Sequence, residues 1–253
     1  MNIAQSDHFE YVLRLGDNAL ILGQRLSEWC GHSPFVEEDV ALANTALDHV
    51  GRARMLLTHA GEIEGKGQSE DDLAYKRYER DYKNFLITEL PIGDFAFTIA
   101  RQFLMDTYHF YLYQGLTESS DETLAAIAAK AVKESRYHLR RSSQWLCKLG
   151  DGTDESHERV QQAIDRIWRF NSELFDLDDV DRAAIAAGIA PDLTMVQNQW
   201  QQHIDDTLKE ATLVKPESAP LAASGREGRH TEHLGYLLAE MQYLQRAYPG
   251  LSW

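Results

Sequence analysis

Residues 121–149 read DETLAAIAAKAVKESRYHLRRSSQWLCKL. The run holds no Gly and no Pro, and Leu124, Ile127, Ala131, Glu134, His138 and Trp145 recur at spacings of three, four and seven. That lays one stripe along a single long helix. The stripe is not purely apolar. Glu134 and His138 sit on the face that should be buried, where a polar side chain is costly unless it is paired or binds a metal. A long helix with polar residues on its inner face predicts a helical bundle with something to hold at its centre.

Working outward gives more helices of the same kind. Thr117 to Ser120 is a turn. Before it, Ile99, Phe103, Asp106, Phe110 and Tyr113 form the stripe of a helix over 94–117, restarted by Pro91-Ile92-Gly93-Asp94. At the N-terminal end, Val12, Leu15, Ala19, Leu22, Leu26 and Trp29 mark a helix over about 7–30. Glu37, Glu38 and Asp39 suit the first turn of the next, where the helix dipole favours negative charge. It runs to about His59, with Ala46, Val50, Ala53 and Leu57 as its stripe, and Gly61 to Gly67 reads as a loop. A shorter helix is predicted over 70–86. Beyond Gly150-Asp151-Gly152 come helices near 154–175, 178–187 and 192–212, a linker over 215–228 and a last helix over 230–248. In that last helix Leu234, Leu237, Leu238, Met241 and Leu244 share one side, and Thr231 is the expected N-cap. No segment alternates with period two between turns, so no sheet is expected. Two long hairpins, 7–60 and 94–149, predict an all-α, ferritin-like four-helix bundle with additional C-terminal helices. The expected organisation is one domain over 1–253, with its bundle core at about 7–149.

Composition removes several functions. Of 253 residues, 25 are Lys or Arg and 40 are Asp or Glu, a formal net charge of -15 with a pI near 5.0. Such a field repels nucleic-acid phosphates and anionic membrane surfaces. The longest apolar run is far below the roughly 20 residues of a membrane span. The start MNIAQSDHFEYVLRLGD lacks a basic region followed by an apolar block, so no signal peptide is expected and the location read is cytoplasmic. Cys30 and Cys147 allow neither a disulfide framework nor a four-thiolate metal site, and they read as small, reduced core residues.

Ten histidines direct a search for metal ligands. Di-iron carboxylate bundles place a single acid on each of two helices and a Glu-x-x-His pair on each of the other two. The i, i+3 spacing puts an oxygen and a nitrogen donor on one face a turn apart, a set that suits iron. An acid three residues before a His occurs at Asp106/His109, Asp154/His157 and Glu227/His230, and the last two fall in or near loops. Asp106/His109 lies on the third long helix, which should carry one acid alone. On the second, Asp48 is followed at +3 by Gly51, which has no donor. On the fourth, Ser135 stands three before His138, and Glu134 is one residue out of register, a rotation of about 100°. Level-matching on the first helix points to residues 18–25, where only Asn18, Gln24 and Arg25 are polar, with Asp17 and Glu28 the nearest acids. Simpler roles stand beside these: an ion pair of Asp48 with Arg52, another of Glu134 with Lys130 or His138, and capping or surface roles for His230 and His233. The set is therefore a degenerate site. The alternative is a di-iron oxygenase or oxidase using a remodelled site of Asp48, Asp106, His109, Glu134 and His138.

The segments LRLGDNALILGQRLSEWCGHSP (13–34), ALANTALDHVGRAR (41–54), AVKESRYHLRRSSQWL (131–146) and HTEHLGYLLAEMQYLQRAYPG (230–250) closely resemble the C-type family of bacterial phenylacetyl-CoA epoxidase subunits, components of the multicomponent ring 1,2-monooxygenase of phenylacetate catabolism. The likeness runs over essentially the whole chain. It implies a ferritin-like fold and a non-catalytic partner of a catalytic A-type subunit. The di-iron site and the acyl-CoA pocket then belong to that A-type partner, a separate flavin and iron–sulfur reductase delivers electrons, and the product is a ring-epoxidised CoA thioester. It also implies that Asp48 matches the Glu and Gly51 the His of the A-type second-helix pair. Ser135 and His138 match the fourth-helix pair, and Asp106 the single third-helix acid. No metal or cofactor is then expected in this chain.

Two features suggest how such a chain meets its partner. Lys130, Lys133, Arg136, Arg140 and Arg141 concentrate positive charge on one helix of an acidic protein, and Lys133, Arg136 and Arg140 are the expected interface cations. The aromatics between Phe95 and Tyr113 are too many for one core stripe, so some are expected against a further helix layer or a partner. Self-association is the other contact considered. A free acyl-CoA-binding module is disfavoured by the acidity, because CoA phosphates call for clustered Lys or Arg.

Overall fold

The computed structural model describes residues 3–217, 221 and 223–251. The fold is all-α and ferritin-like in class, and among the described residues there is no strand. The α-helices are α1 (Gln5–Ser27), α2 (Val36–Glu64), α3 (Glu70–Tyr75), α4 (Leu86–Glu89), α5 (Phe95–Leu116), α6 (Glu122–Gly150), α7 (Asp154–Ile167), α8 (Asp179–Ala186), α9 (Leu193–Glu210), α10 (Glu232–Met241) and α11 (Tyr243–Ala247). Two compact units are formed. One is Ile92–Leu221, and the other comprises the described residues of Asn2–Pro91 and Ala222–Trp253.

The middle unit is built on the α5/α6 hairpin. Each helix begins at an aspartate whose side chain accepts an early backbone N–H: Asp94 from Phe97 at 2.8 Å and Asp121 from Leu124 at 3.0 Å. The predicted stripes are the buried faces, with Phe110 of α5 and Glu134 and Trp145 of α6 half-buried. α5 is buried over most of its circumference because α7 and α9 also pack on it. Part of the aromatic surplus is thereby accounted for within this chain. Tyr108 meets Phe175 at 5.7 Å, Phe175 meets Trp200 at 5.4 Å, and Trp200 Nε1 donates to the Leu104 carbonyl at 3.0 Å.

The other unit is built on the α1/α2 hairpin, whose helices pack along their length. α2 runs on to Glu64, past the expected end near His59. Gly61 is not a breaker here: it lets the chain return closely, since a Cβ at that position would lie 2.4 Å from the Gln68 carbonyl oxygen. The single helix expected over 70–86 is instead a short helix, a turn at Glu79–Asp81 and the single-turn α4. The reason is local. The N–H of Lys83 donates to Asp17 Oδ2 at 2.9 Å and that of Phe85 to Asn18 Oδ1 at 2.7 Å, so side chains of α1 take donors a helix would have used.

The C-terminal segment joins this unit. Gly225 and Arg226 are buried, Gly225 close to the Asn84 backbone and the Arg226 guanidinium 4.8 Å from the Phe85 ring centre. Of the expected linker, residues 218–220 and 222 lie outside the described residues. Leu234, Leu237 and Leu238 are buried as expected, but Leu244 is 47% exposed. The helix breaks at Gln242, whose amide turns inward and donates to the carbonyls of Ala74 and Arg77 and to Tyr82 Oη. That break shifts the phase of all that follows. Cys30 is another correction: it is exposed in the turn after α1, and Cys147 is half-buried.

Candidate functional site

In the middle unit, α5 carries Gln102, Asp106 and His109 at i, i+4 and i+7, all at most 3% exposed. α6, packed against it, carries Ser135, His138 and Ser142 at i, i+3 and i+7, all at most 2% exposed. Each trio lies on one helical face. Asp106 and His138 are interior as the stripes predict, whereas on α6 it is Ser135 rather than the stripe residue Glu134 that is buried. Asp106 and His109 bring a carboxylate oxygen and a ring nitrogen within 4.8 Å of each other. The His109 ring is flanked by Tyr108 and Tyr113, with centroids 5.9 and 5.8 Å away. Ser142 Oγ donates to the His138 carbonyl at 3.1 Å, an ordinary back-bond along the helix. Glu134, one register step away, is half-buried and faces Lys130 Nζ at 3.5 Å, the helix pair expected of it.

In the other unit, Asp48 on α2 is half-buried, whereas its neighbours His49 and Arg52 are fully buried. At Gly51 an added Cβ would meet nothing within 4 Å, so packing does not demand a glycine there. The polar residues expected near the first-helix level have other work. Asp17 is fully buried and accepts from both terminal guanidinium nitrogens of Arg77, one at 2.9 Å, as well as from the Lys83 N–H. Burial opposes the Arg77 charge, but Asp17 beside it holds the guanidinium above its ordinary range. Asn18 donates to the Arg14 carbonyl at 2.9 Å and accepts from Phe85. Arg25 donates to the carbonyls of Glu89 and His233 and to Glu28.

Glu89 is a residue that sequence reasoning misses. Its side chain is completely buried, and His230 Nδ1 lies 2.8 Å from its Oε2. The Thr231 N–H donates to its Oε1 at 2.6 Å and Asn84 Nδ2 to Oε2 at 3.0 Å. His230 Nε2 is 3.0 Å from the Tyr82 carbonyl. Both ring nitrogens therefore face oxygen atoms, an arrangement that suits the doubly protonated imidazolium beside a carboxylate. Burial pulls His230 down, but the bond and charge of Glu89 outweigh it and the net shift is upward. The surroundings of His230 thus favour its protonated form, and Thr231 caps α10 by accepting from the His233 N–H, as expected.

The expected interface cations Lys133, Arg136 and Arg140 are all exposed on α6. The Arg136 guanidinium lies 5.8 Å from the Phe110 ring centre and that of Arg140 5.6 Å from Tyr137. Among the described residues no helix is long and apolar enough to cross a membrane.

Comparison with known proteins adds two findings. A family model described as phenylacetic acid catabolic protein matches residues 1–253. A curated relative from Escherichia coli (strain K12), the C component of 1,2-phenylacetyl-CoA epoxidase, is 52% identical over 243 residues, which is 96% of this chain and 98% of that protein.

Proposed function

Because this chain belongs to the phenylacetic acid catabolic protein family, we propose that it is the structural C-type subunit of a phenylacetyl-CoA ring 1,2-epoxidase, supporting a catalytic A-type subunit in the cytoplasm. The observation that carries the reading is the donor set. Two iron ions need several carboxylates around them for charge and coordination. Gly51 has no donor, Ser135 offers a hydroxyl, and Asp17 is held by Arg77 and the Lys83 N–H. These residues do not fit a di-iron centre, so the reading assigns the iron and the acyl-CoA pocket to the A-type partner and no cofactor to this chain. Asp106, His109 and His138 then serve as interior polar groups of the hairpin, and Lys133, Arg136 and Arg140 meet the partner.

A second reading, a di-iron oxygenase or oxidase with a remodelled site, has one observation in its favour: Asp106 and His109, both buried, present donors within 4.8 Å of each other. Metal analysis separates the two. Protein purified without chelator should hold far less than one iron per chain. When reconstituted with its partner subunits, D106N and H138Q should retain most ring-epoxidising activity wherever the complex still assembles. Near-stoichiometric iron in the isolated chain, lost on D106N, would overturn the structural reading in favour of the second.

A further inference from the structure

Within the middle unit a surface groove of 780 Å³ lies along α6, walled by α9 and reaching Phe110 of α5. Phe110 and Leu139 give it an apolar floor. Three cations line it, Arg136, Arg140 and Lys148, against one acid, Glu210. Among the described residues none of the three cations lies in an ion pair; each is instead placed over an aromatic ring, Lys148 at 5.0 Å from Trp145. In a chain of net charge -15, this local excess of positive charge is out of character with the whole.

We infer that this groove receives an acidic segment of a partner subunit, with an aromatic or aliphatic side chain of that segment seated on Phe110 and Leu139. The inference rests on the reading of the chain as a subunit and adds the place and chemistry of one contact. Three arguments carry it. The acidic remainder repels an acidic segment from other faces, so the groove is where such a segment is steered and kept. Arginines held over rings are pre-organised, lose little freedom on pairing with carboxylates, and are enriched at interface centres. The third argument is length. Arg136 and Lys148 are twelve residues apart on one helix, about 18 Å at 1.5 Å per residue. A single small anion cannot span that distance, whereas a short stretch of chain with spaced carboxylates can.

Cys147 lines the groove and reports on its occupancy. The test uses the full chain carrying C30S, alone and assembled with its partner subunits, and follows alkylation of Cys147 by a maleimide with mass detection. Burial, with Glu210 and Asp151 beside it, raises the thiol above its ordinary range, so the labelling is run on the alkaline side and compared at one pH. Cys147 should label at least roughly tenfold more slowly in the complex. The variant R136E/R140E/K148E should associate at least roughly tenfold more weakly. A charge-matched control, K66E/K76E/R182E, should associate normally, and thermal melts should show both variants folded. If the complex forms, Cys147 labels at its free rate and the groove variant binds as the parent does, the groove assignment is overturned while the subunit reading stands. Failure of the parent chain to form any complex defeats the subunit reading and the groove assignment with it. Protection of Cys147 by pyrophosphate alone would assign the groove to a small polyanion and overturn the protein segment.

Discussion

Asp17 and Glu89 show what buried carboxylates do in this chain. Each is fully buried, and each gathers donors from distant sequence: Asp17 from Arg77 and Lys83, Glu89 from His230 and Thr231, with Asn84 nearby adding a third. Breaking such a buried pair by removing one partner typically costs several kcal/mol, about 3–5. The sequence marks Asp17 only as an acid near a ligand level and does not mark Glu89. Their partners lie 60 and 141 positions away, and one sequence holds no sign of such long-range pairing. By contrast, burial of Asp106 and His138 is legible because each sits on its own helix's stripe. The Glu89–His230 pair carries a pH prediction. The imidazole is raised above its ordinary value of 6.5 in the folded state, so its contribution is complete below that value and fades as pH rises through the raised one. Raising pH from about 6 to about 9 should therefore lower the protection factors of α10 amides, that is, speed their exchange beyond the base-catalysed increase seen for an unstructured peptide. H230Q should leave those protection factors independent of pH, and an equally large fall in protection in H230Q would refute the assignment.

At the scale of elements, the long helices and their caps follow from local chemistry and so are readable. Apolar period marks α1, α2, α5 and α6, an aspartate stands before the first turn of α5 and of α6, and Gly65 closes α2. The stretch from residue 70 to 90 is not readable in this way, because α1 side chains rather than its own composition dictate its path. Two glycines inside or ending helices make the same point with opposite signs. A Cβ at Gly150 would lie 2.1 Å from the Ala211 carbonyl oxygen, backbone that cannot yield cheaply, whereas at Gly51 it meets open space. G150A should lower the melting temperature by several degrees. G51A should raise it slightly, by up to about 1 kcal/mol of helix propensity or roughly 2–4 °C. Thermal melts of both variants decide this, and a destabilised G51A would show that the position is constrained by more than packing.

The molecule as a whole has a division the sequence does not announce. Periodicity finds the two hairpins but cannot say which later helices accompany each. α7 and α9 pack with α5 and α6, while α10 packs on α4 and the turn at Glu79–Asp81. Hydrophobic stripes state that a face is covered, not by what. A chain truncated after Leu221 should accordingly lose protection first in the 77–90 segment, where Gln242, His230 and Arg226 now bind. Hydrogen exchange by mass spectrometry reads this directly, and unchanged protection there would show that the C-terminal segment merely decorates the unit.

That interleaving sets an order of events during synthesis. Residues 92–221 are contiguous, so they can fold as soon as they clear the ribosome. The first hairpin is made earlier, yet Glu89, the Arg77 carbonyl and Tyr82 wait for His230 and Gln242 to be translated. Until then a nascent chain holds a carboxylate without its cation, and the oldest part of the polypeptide is the last to mature.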